Sequence, residues 1–392
     1  MGDAVIVSTA RTAIGTARKG TLLDVTAFDL AKYVVAEALK RSGIPGDDVD
    51  DLQVGESLQG GGDIARYAAV DLGLTNVPGV ALNRHCASGM ASVQGAAASI
   101  KAGMDKVVIA GGTESVSTSP SSFRRVPGTD DAEPWMSPSH PDTPDAPAFD
   151  MSITVGWNAA QKANVTREEM DFWACESHRR AVEAIDAGKF EEEIVPIEVT
   201  TRDGETKVFS VDEHPRRTTS MEKLAALSPL HPEIEGFSIT AGNSSGLNDG
   251  AAAMVLVDSE YAAAHGLKPM GIIRSWASSG VPPADTGLGP TLAIPKALER
   301  AGLSIGDIDV FEINEAFASM CVATTRTLGI PHEITNVNGS GCSLGHPIAC
   351  TGSRMIVTLV SELRRRGGGL GVASMCAGGG MGSATVVEVP AP

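Results

Sequence analysis

A long-range repeat constrains this chain more than any other feature. Residues 38–56, ALKRSGIPGDDVDDLQVGE, return at a constant offset of 259 (297 − 38) as residues 297–315, ALERAGLSIGDIDVFEINE. Ala38/Ala297, Leu39/Leu298, Arg41/Arg300, Gly43/Gly302, Asp48/Asp307, Asp50/Asp309 and Glu56/Glu315 are identical, and Val49/Ile308 and Val54/Ile313 stay apolar, with no gap. Each copy reads as a helix end, a glycine stop, a polar turn and a strand. Self-similarity at so long a period means two copies of one domain rather than a solenoid.

The rest of the chain fits two halves. Val5–Ser8 and Ile272–Ser275 read as opening strands, and Val107–Ala110 and Gly371–Met375 as buried strands that end in glycines. Strands alternating with helices predict α/β layers. A long insert, about Val116 to Thr240, separates the copies. Its stretch Pro120–Pro147 holds seven of the 22 prolines and reads as an irregular excursion. Its stretch Thr166–Phe190 is helical, with Thr166 and Glu169 forming a capping box.

Composition narrows the function. A net charge of −17 argues against nucleic acid and anionic membranes, yet leaves room for a small anion at a local basic patch. No run of 18 apolar residues appears, and the N-terminus enters a strand pattern at once, without a signal peptide. Six cysteines without a C-x-x-C pair predict free thiols in a reducing compartment, the cytoplasm.

Four residues carry candidate chemistry. Cys86 lies between a strand-like run, Val80–Leu82, and a helix-like run, in NRHCASGMASVQGAAASI. A helix N-terminus favours a thiolate, which suits covalent catalysis, whereas an inert buried cysteine is the bland alternative. His346, in NGSGCSLGHPIACTGSR, is the best base candidate, or else a histidine bonded within a turn. The 259 offset carries Cys86 to position 345, which predicts that Cys86 and His346 occupy nearly equivalent places. Cys376 enters three glycines, Gly378 to Gly380, whose N–H groups suit an oxyanion, or which form only a flexible turn. Asn314 follows the strand Val310–Ile313, a position used for ligand contact or for helix capping.

Three other motifs carry less. Gly242–Gly246 matches G-x-S-x-G, but a strand-like run, Ala251–Val257, follows where a nucleophile elbow needs a helix. Cys342, His346 and Cys350 are spaced by four, yet the glycines and Pro347 break the helix that would align them, so no metal is expected. The triple glycines at 60–62 and 367–369 match no nucleotide-binding pattern.

Taken in order, NRHCASGMAS (83–92), GGTES (111–115), TAGNSSGLNDGAAA (240–253), FEINEAFA (311–318), GHP (345–347) and CAGGGMG (376–382) resemble the thiolases over essentially the whole chain. The resemblance implies duplicated βαβ-type halves in a five-layer α-β-α-β-α arrangement with an inserted loop domain. The implied divisions are residues 1–118 with 241–268, residues 119–240, and residues 269–392. It implies cleavage of 3-ketoacyl-CoA by CoA, or the reverse condensation, with CoA as substrate and no covalently bound cofactor. Cys86 matches the acylated nucleophile, His346 its base, Cys376 the acid/base at the substrate α-carbon, and Asn314 the holder of an oxyanion-hole water. Gly378 and Cys86 match the backbone donors of a second oxyanion hole. Arg216, Ser245, Met151, Ala316 and Phe317 match positions lining the CoA or pantetheine pocket. Arg216 and Arg217 together would supply the cationic patch. A homodimer or homotetramer is implied.

The pattern also departs from the family. His85 replaces a commonly apolar residue, Asp150 precedes Met151 where a histidine is usual, and Gly156 and Trp157 replace Glu-Asn. Ile348, Ala349 and Cys350 stand for a common Leu-Gly-Ala. These changes weaken a dedicated acetoacetyl-CoA biosynthetic role. The alternatives are a ketosynthase-like condensing enzyme, against which Cys376 argues, and a non-catalytic acyl-CoA-binding protein, against which the intact set argues.

Overall fold

The computed structural model describes residues 2–391. The first half contains β1 (Ala4–Thr12), β2 (Asp51–Gly55), β3 (Gly79–Leu82), β4 (Val107–Ser115) and β5 (Asn248–Asp258). The second contains β6 (Gly271–Gly280), β7 (Val310–Ile313), β8 (Gly369–Ala377) and β9 (Met381–Val389). The strand order is β1-β5-β4-β2-β3 in the first half and β6-β9-β8-β7 in the second, so four strands repeat one topology. Where β3 lies in the first half, the second has a single parallel bridge, Phe311 to Thr335. The half-sheets join through β1 and β6, which pair only at Val5–Ile272 and Ile6–Gly271.

Helices fill the layers between and around these sheets. Helix α1 (Ala27–Ser42) packs on the outer face of the first sheet, and α4 (Pro290–Ala301), in contact with α5 (Ala318–Leu328), on that of the second. Helices α2 (Ser88–Lys101) and α6 (Thr351–Arg365) lie between the sheets. There Val93, Ala97, Ile356 and Leu359 share one buried cluster with Ile6 and Met254 of the first sheet and Ala373 and Met375 of the second. The result is the five-layer order α-β-α-β-α. Strands buried on both faces explain the continuous apolar runs of β4, β5, β8 and β9.

Two sequence expectations change. Strand β4 does not stop at Ala110 but runs through Gly111 and Gly112 to Ser115. Those glycines permit close approach rather than a turn: a Cβ on Gly111 would stand 2.2 Å from the Ala252 carbonyl oxygen, and one on Gly112 2.2 Å from that of Ala349. Secondly, the proline-rich stretch is not wholly irregular, because Ser122–Arg125 and Ala132–Trp135 pair as a hairpin.

The insert enters at one hairpin turn. Residues 378–380 suffice to join β8 to β9, whereas residues 116–247 separate the equivalent β4 and β5. Within that segment α3 (Arg167–Asp186) starts at the full Thr166–Glu169 capping box. Arg11 of β1 fastens the insert, bonding Glu193 at 2.8 Å and Asp212 at 2.8 and 2.9 Å, all buried. Loss of one partner from such a buried pair costs about 3–5 kcal/mol.

Candidate active site

The site forms where the first turns of α2 and α6 cross. Gly89 N–H donates to the Ala349 carbonyl at 2.9 Å. A Cβ on Gly89 would stand 2.5 Å from that oxygen, and one on Gly352 2.6 Å from Met90 Cβ. Gly89 and Gly352 are equivalent residues, because α2 and α6 start 263 positions apart (351 − 88). Strand pairing gives the same offset, since Leu52 faces Ile109 and Phe311 faces Val372 (372 − 109). Four residues are therefore added between β7 and α6 (263 − 259). This corrects the register read from sequence: Cys86 corresponds to Ala349, three residues beyond His346 (86 + 263). The two loops still meet, through the Gly89–Ala349 bond.

Cys86 lies just before α2 and is partly exposed. The N–H groups of Gly378 and of Cys86 itself approach the sulfur. Burial nevertheless pushes the thiol up to about 11, and the Glu114 carboxylate adds to the rise. Desolvation thus outweighs the helix-end effect that the sequence suggested, and the resting group is a thiol. The preceding His85 has φ +48°, with its N–H held by Asn83 Oδ1 at 2.9 Å and its carbonyl accepting from Ser88 Oγ at 2.6 Å. These bonds hold a conformation uncommon for a side chain of this size.

His346 N–H donates to Asn248 Oδ1 at 3.0 Å. Gly345 precedes it at φ +100°, where a Cβ would stand 2.4 Å from the Asn248 amide carbon. The imidazole Nδ1 is 2.6 Å from Thr351 Oγ1, and Nε2 is buried without a protein partner. Burial lowers the imidazole to about 3, with the buried Arg354 guanidinium contributing. Cys376 is buried 3.5 Å from Met320 Sδ, and burial followed by the nearby Cys86 raises its thiol. Asn314 is fully buried; its Nδ2 lies 3.5 Å from His346 Nδ1 and its Oδ1 has no partner. Cys86 therefore lies by Gly378 and Cys376, the neutral His346 imidazole lies by Asn314, and the loops that carry Cys86 and His346 meet at the Gly89–Ala349 bond.

The backing of this cluster went unread in the sequence. Glu315 accepts from Trp173 Nε1 (2.9 Å), Ser177 Oγ (2.6 Å), Asn336 Nδ2 (2.8 Å) and Cys342 N–H (3.0 Å). Glu114, inside β4, accepts from Gln59 Nε2 at 2.6 Å and Ala349 N–H at 3.1 Å, so it ties both halves together. Burial lifts it to about 7. Both carboxylates come a few residues after mainly apolar strand runs, Val107–Ala110 and Val310–Ile313, which was the available signal. Thr351 had only a weaker one, a hydroxyl in a helical first turn.

The expected CoA-pocket residues fall into two groups. Ser245 N–H donates to the Ala316 carbonyl at 2.9 Å, and Ser244 bridges to Phe317. The Phe317 ring lies on Gly156, where a Cβ would stand 2.8 Å away, and Met151 packs against the same apolar cluster. Arg216 is exposed, with its N–H on His178 Nδ1 at 3.1 Å. Arg217 is engaged elsewhere, by Asp186 at 2.6 and 2.8 Å. The paired cationic patch reduces to Arg216 with the nearby Lys19, both of which add positive charge next to the buried His214.

The G-x-S-x-G loop runs into β5, and Ser244 Oγ donates to the Thr240 carbonyl at 2.6 Å. Cys342 Sγ contacts the Glu315 carbonyl at 3.6 Å. Among the described residues no three side chains of metal-ligating type converge, and no helix is long and apolar enough to cross a membrane.

Comparison with known proteins identifies the family. Residues 4–260 match the thiolase N-terminal domain and residues 267–389 the thiolase C-terminal domain. The chain belongs to the thiolase family, a class of acyltransferases. It is 42% identical to a 3-ketoacyl-CoA thiolase of Bacillus subtilis, over 99% of this chain and 100% of that one. It is 41% identical to an acetyl-CoA acetyltransferase of Escherichia coli, over 99% of each. The crystal structure of human mitochondrial 3-ketoacyl-CoA thiolase superposes with a TM-score of 0.90 at 35% identity, covering 100% of this chain and 99% of that one.

Proposed function

We propose that the chain catalyses CoA-dependent cleavage of 3-ketoacyl-CoA, and the reverse condensation, through an acyl thioester on Cys86. The observation that carries this reading is the meeting of the two halves through the Gly89–Ala349 bond, with Cys86 beside Gly378 N–H and Cys376 on one side and His346 beside Asn314 on the other. His346 Nε2 takes the Cys86 proton as sulfur attacks the 3-keto carbon. The C2–C3 bond then breaks, its electrons pass to C2, and the Cys376 thiol protonates that carbon. Acetyl-CoA leaves. The CoA thiol gives its proton to the Cys376 thiolate and attacks the thioester, and Cys86 recovers its proton from His346.

An enolate is a poor leaving group, so donors at its oxygen matter. Each such donor contributes roughly 3–4 kcal/mol. His346 Nε2, with a water held by Asn314, serves the thioester oxygen in this scheme, and the N–H groups of Cys86 and Gly378 serve the other oxyanion. Their approach to the sulfur supports the second assignment. Ser245, Met151, Ala316 and Phe317 line the pantetheine arm, and Arg216 with Lys19 meets the phosphates. The six free thiols support a cytoplasmic setting. The outer edge of β3 supports assembly into homodimers or homotetramers, since an unpaired strand edge favours pairing.

A series of 3-ketoacyl-CoAs of rising chain length, assayed in both directions, tests the reading. Ping-pong kinetics with thiolysis favoured over condensation is the expected result. CoA binding without turnover on any member would replace it with the non-catalytic alternative.

A further inference from the structure

Hydrogen bonding around His346 decides which imidazole nitrogen carries the proton. Nδ1 lies 2.6 Å from Thr351 Oγ1. That same hydroxyl lies 2.9 Å from the Pro347 carbonyl oxygen, which can only accept. A threonine has one hydroxyl proton, so when the proton points at Pro347, Oγ1 is left to accept from Nδ1–H. Nε2 then bears a lone pair, and it is the ring atom without a protein partner. The opposite tautomer would leave a buried Nε2–H without an acceptor and two oxygens 2.9 Å apart without a proton between them. Asn314 does not oppose this. Its amide lies 3.5 Å from Nδ1, and a half-turn exchanges oxygen for nitrogen, giving the unpartnered Oδ1 a donor.

We propose that Thr351 is the positioning residue that fixes His346 in its Nδ1–H tautomer and so keeps Nε2 free to take the Cys86 proton. This rests on the reading of His346 as the base. Thr351 is buried and belongs to the first turn of α6, so its side chain has little freedom. The Pro347 carbonyl lies four residues earlier, the spacing at which a helical threonine bonds backward. The helix start that creates the crossing with α2 therefore also supplies the oxygen that orients the base.

The test is a long-range proton–nitrogen NMR spectrum of the intact enzyme labelled with 15N-histidine, with His346 assigned by its loss in His346→Asn. A pyrrole-type Nδ1 and a pyridine-type Nε2 are expected. The reverse pattern overturns the proposal. Thr351→Val should lower kcat by about 10²-fold with KM little changed, while Thr351→Ser stays within a few-fold of the parent. Thr351→Val that folds and retains full kcat overturns it. If Thr351→Val fails to fold, the parent spectrum and the serine variant still decide, and a pyridine-type Nδ1 in either sinks it. Intact mass after acetyl-CoA treatment separates the two ideas. An unacetylated Cys86 would overturn the functional reading, whereas acetylation with the wrong tautomer would overturn the Thr351 assignment alone.

Discussion

Gly55 and Asn314 end equivalent strands of the two halves, 259 positions apart (314 − 55), and they have opposite surroundings. A Cβ on Gly55 would lie 2.4 Å from Gly89 N, because the first turn of α2 rests on that strand end. In the second half that position holds a buried amide beside His346. The next residue is glutamate in both copies. Glu315 is held by four donors, whereas among the described residues Glu56 Oε2 accepts only from Gln59 N–H, at 3.3 Å. One duplicated strand end is thus a packing joint, and the other holds a buried amide in front of a rigid backing. In the proposed function the nucleophile comes from the first copy and the base, amide and second thiol from the second.

Five substitutions or measurements break or sharpen that contrast. Gly55→Asn, which copies the second half into the first, should lose about 4 kcal/mol or more, read as insolubility or a collapse of Tm, because backbone cannot yield at 2.4 Å. Asn314→Gly, the reverse copy, should keep the fold by circular dichroism yet lower kcat by about 10²–10³-fold. Unchanged kcat would remove Asn314 from the site. Alkylation of Cys86 by iodoacetamide should rise about tenfold per pH unit beyond pH 8, because the thiol is pushed up to about 11. A plateau below pH 8 would instead reveal a thiolate–imidazolium pair.

The glutamates give the smaller effects. Glu315→Gln points an amide at donors and should cost about 2–3 kcal/mol in urea unfolding. Glu56→Gln should change stability by less than about 1 kcal/mol near pH 5 and become relatively stabilising as pH rises. The sign follows from burial, which raises the Glu56 carboxyl above its ordinary range. A raised acid binds its proton more tightly in the folded state, so folding loses stability as pH climbs through the unfolded value. Glutamine removes that loss. A destabilisation that grows with pH would contradict it.

The duplication was legible because helix end, glycine stop and strand recur in register, and the topology repeats it in four strands of each half. Cys86, His346, Cys376 and Asn314 could be singled out as candidates because thiols, imidazole and amide stand out at strand ends and in glycine-rich turns. What stayed hidden depends on distance rather than pattern. The four-residue drift in register falls between β7 and α6, where no repeat survives to show it. The β4 glycines looked like a stop because sequence cannot display the Ala252 and Ala349 oxygens packed against them. The thiol's direction of shift was misread for the same reason, since burial is a property of the assembled halves. Arg217 looked free until α3 brought Asp186 to it.

Intact-protein mass spectrometry after acetyl-CoA treatment tests the central claim most directly. Wild type and Cys376→Ala should each gain one acetyl group, Cys86→Ala none, and only wild type should go on to make or break the carbon–carbon bond. An acetyl adduct that persists at full occupancy in Cys86→Ala would contradict the assignment of the nucleophile.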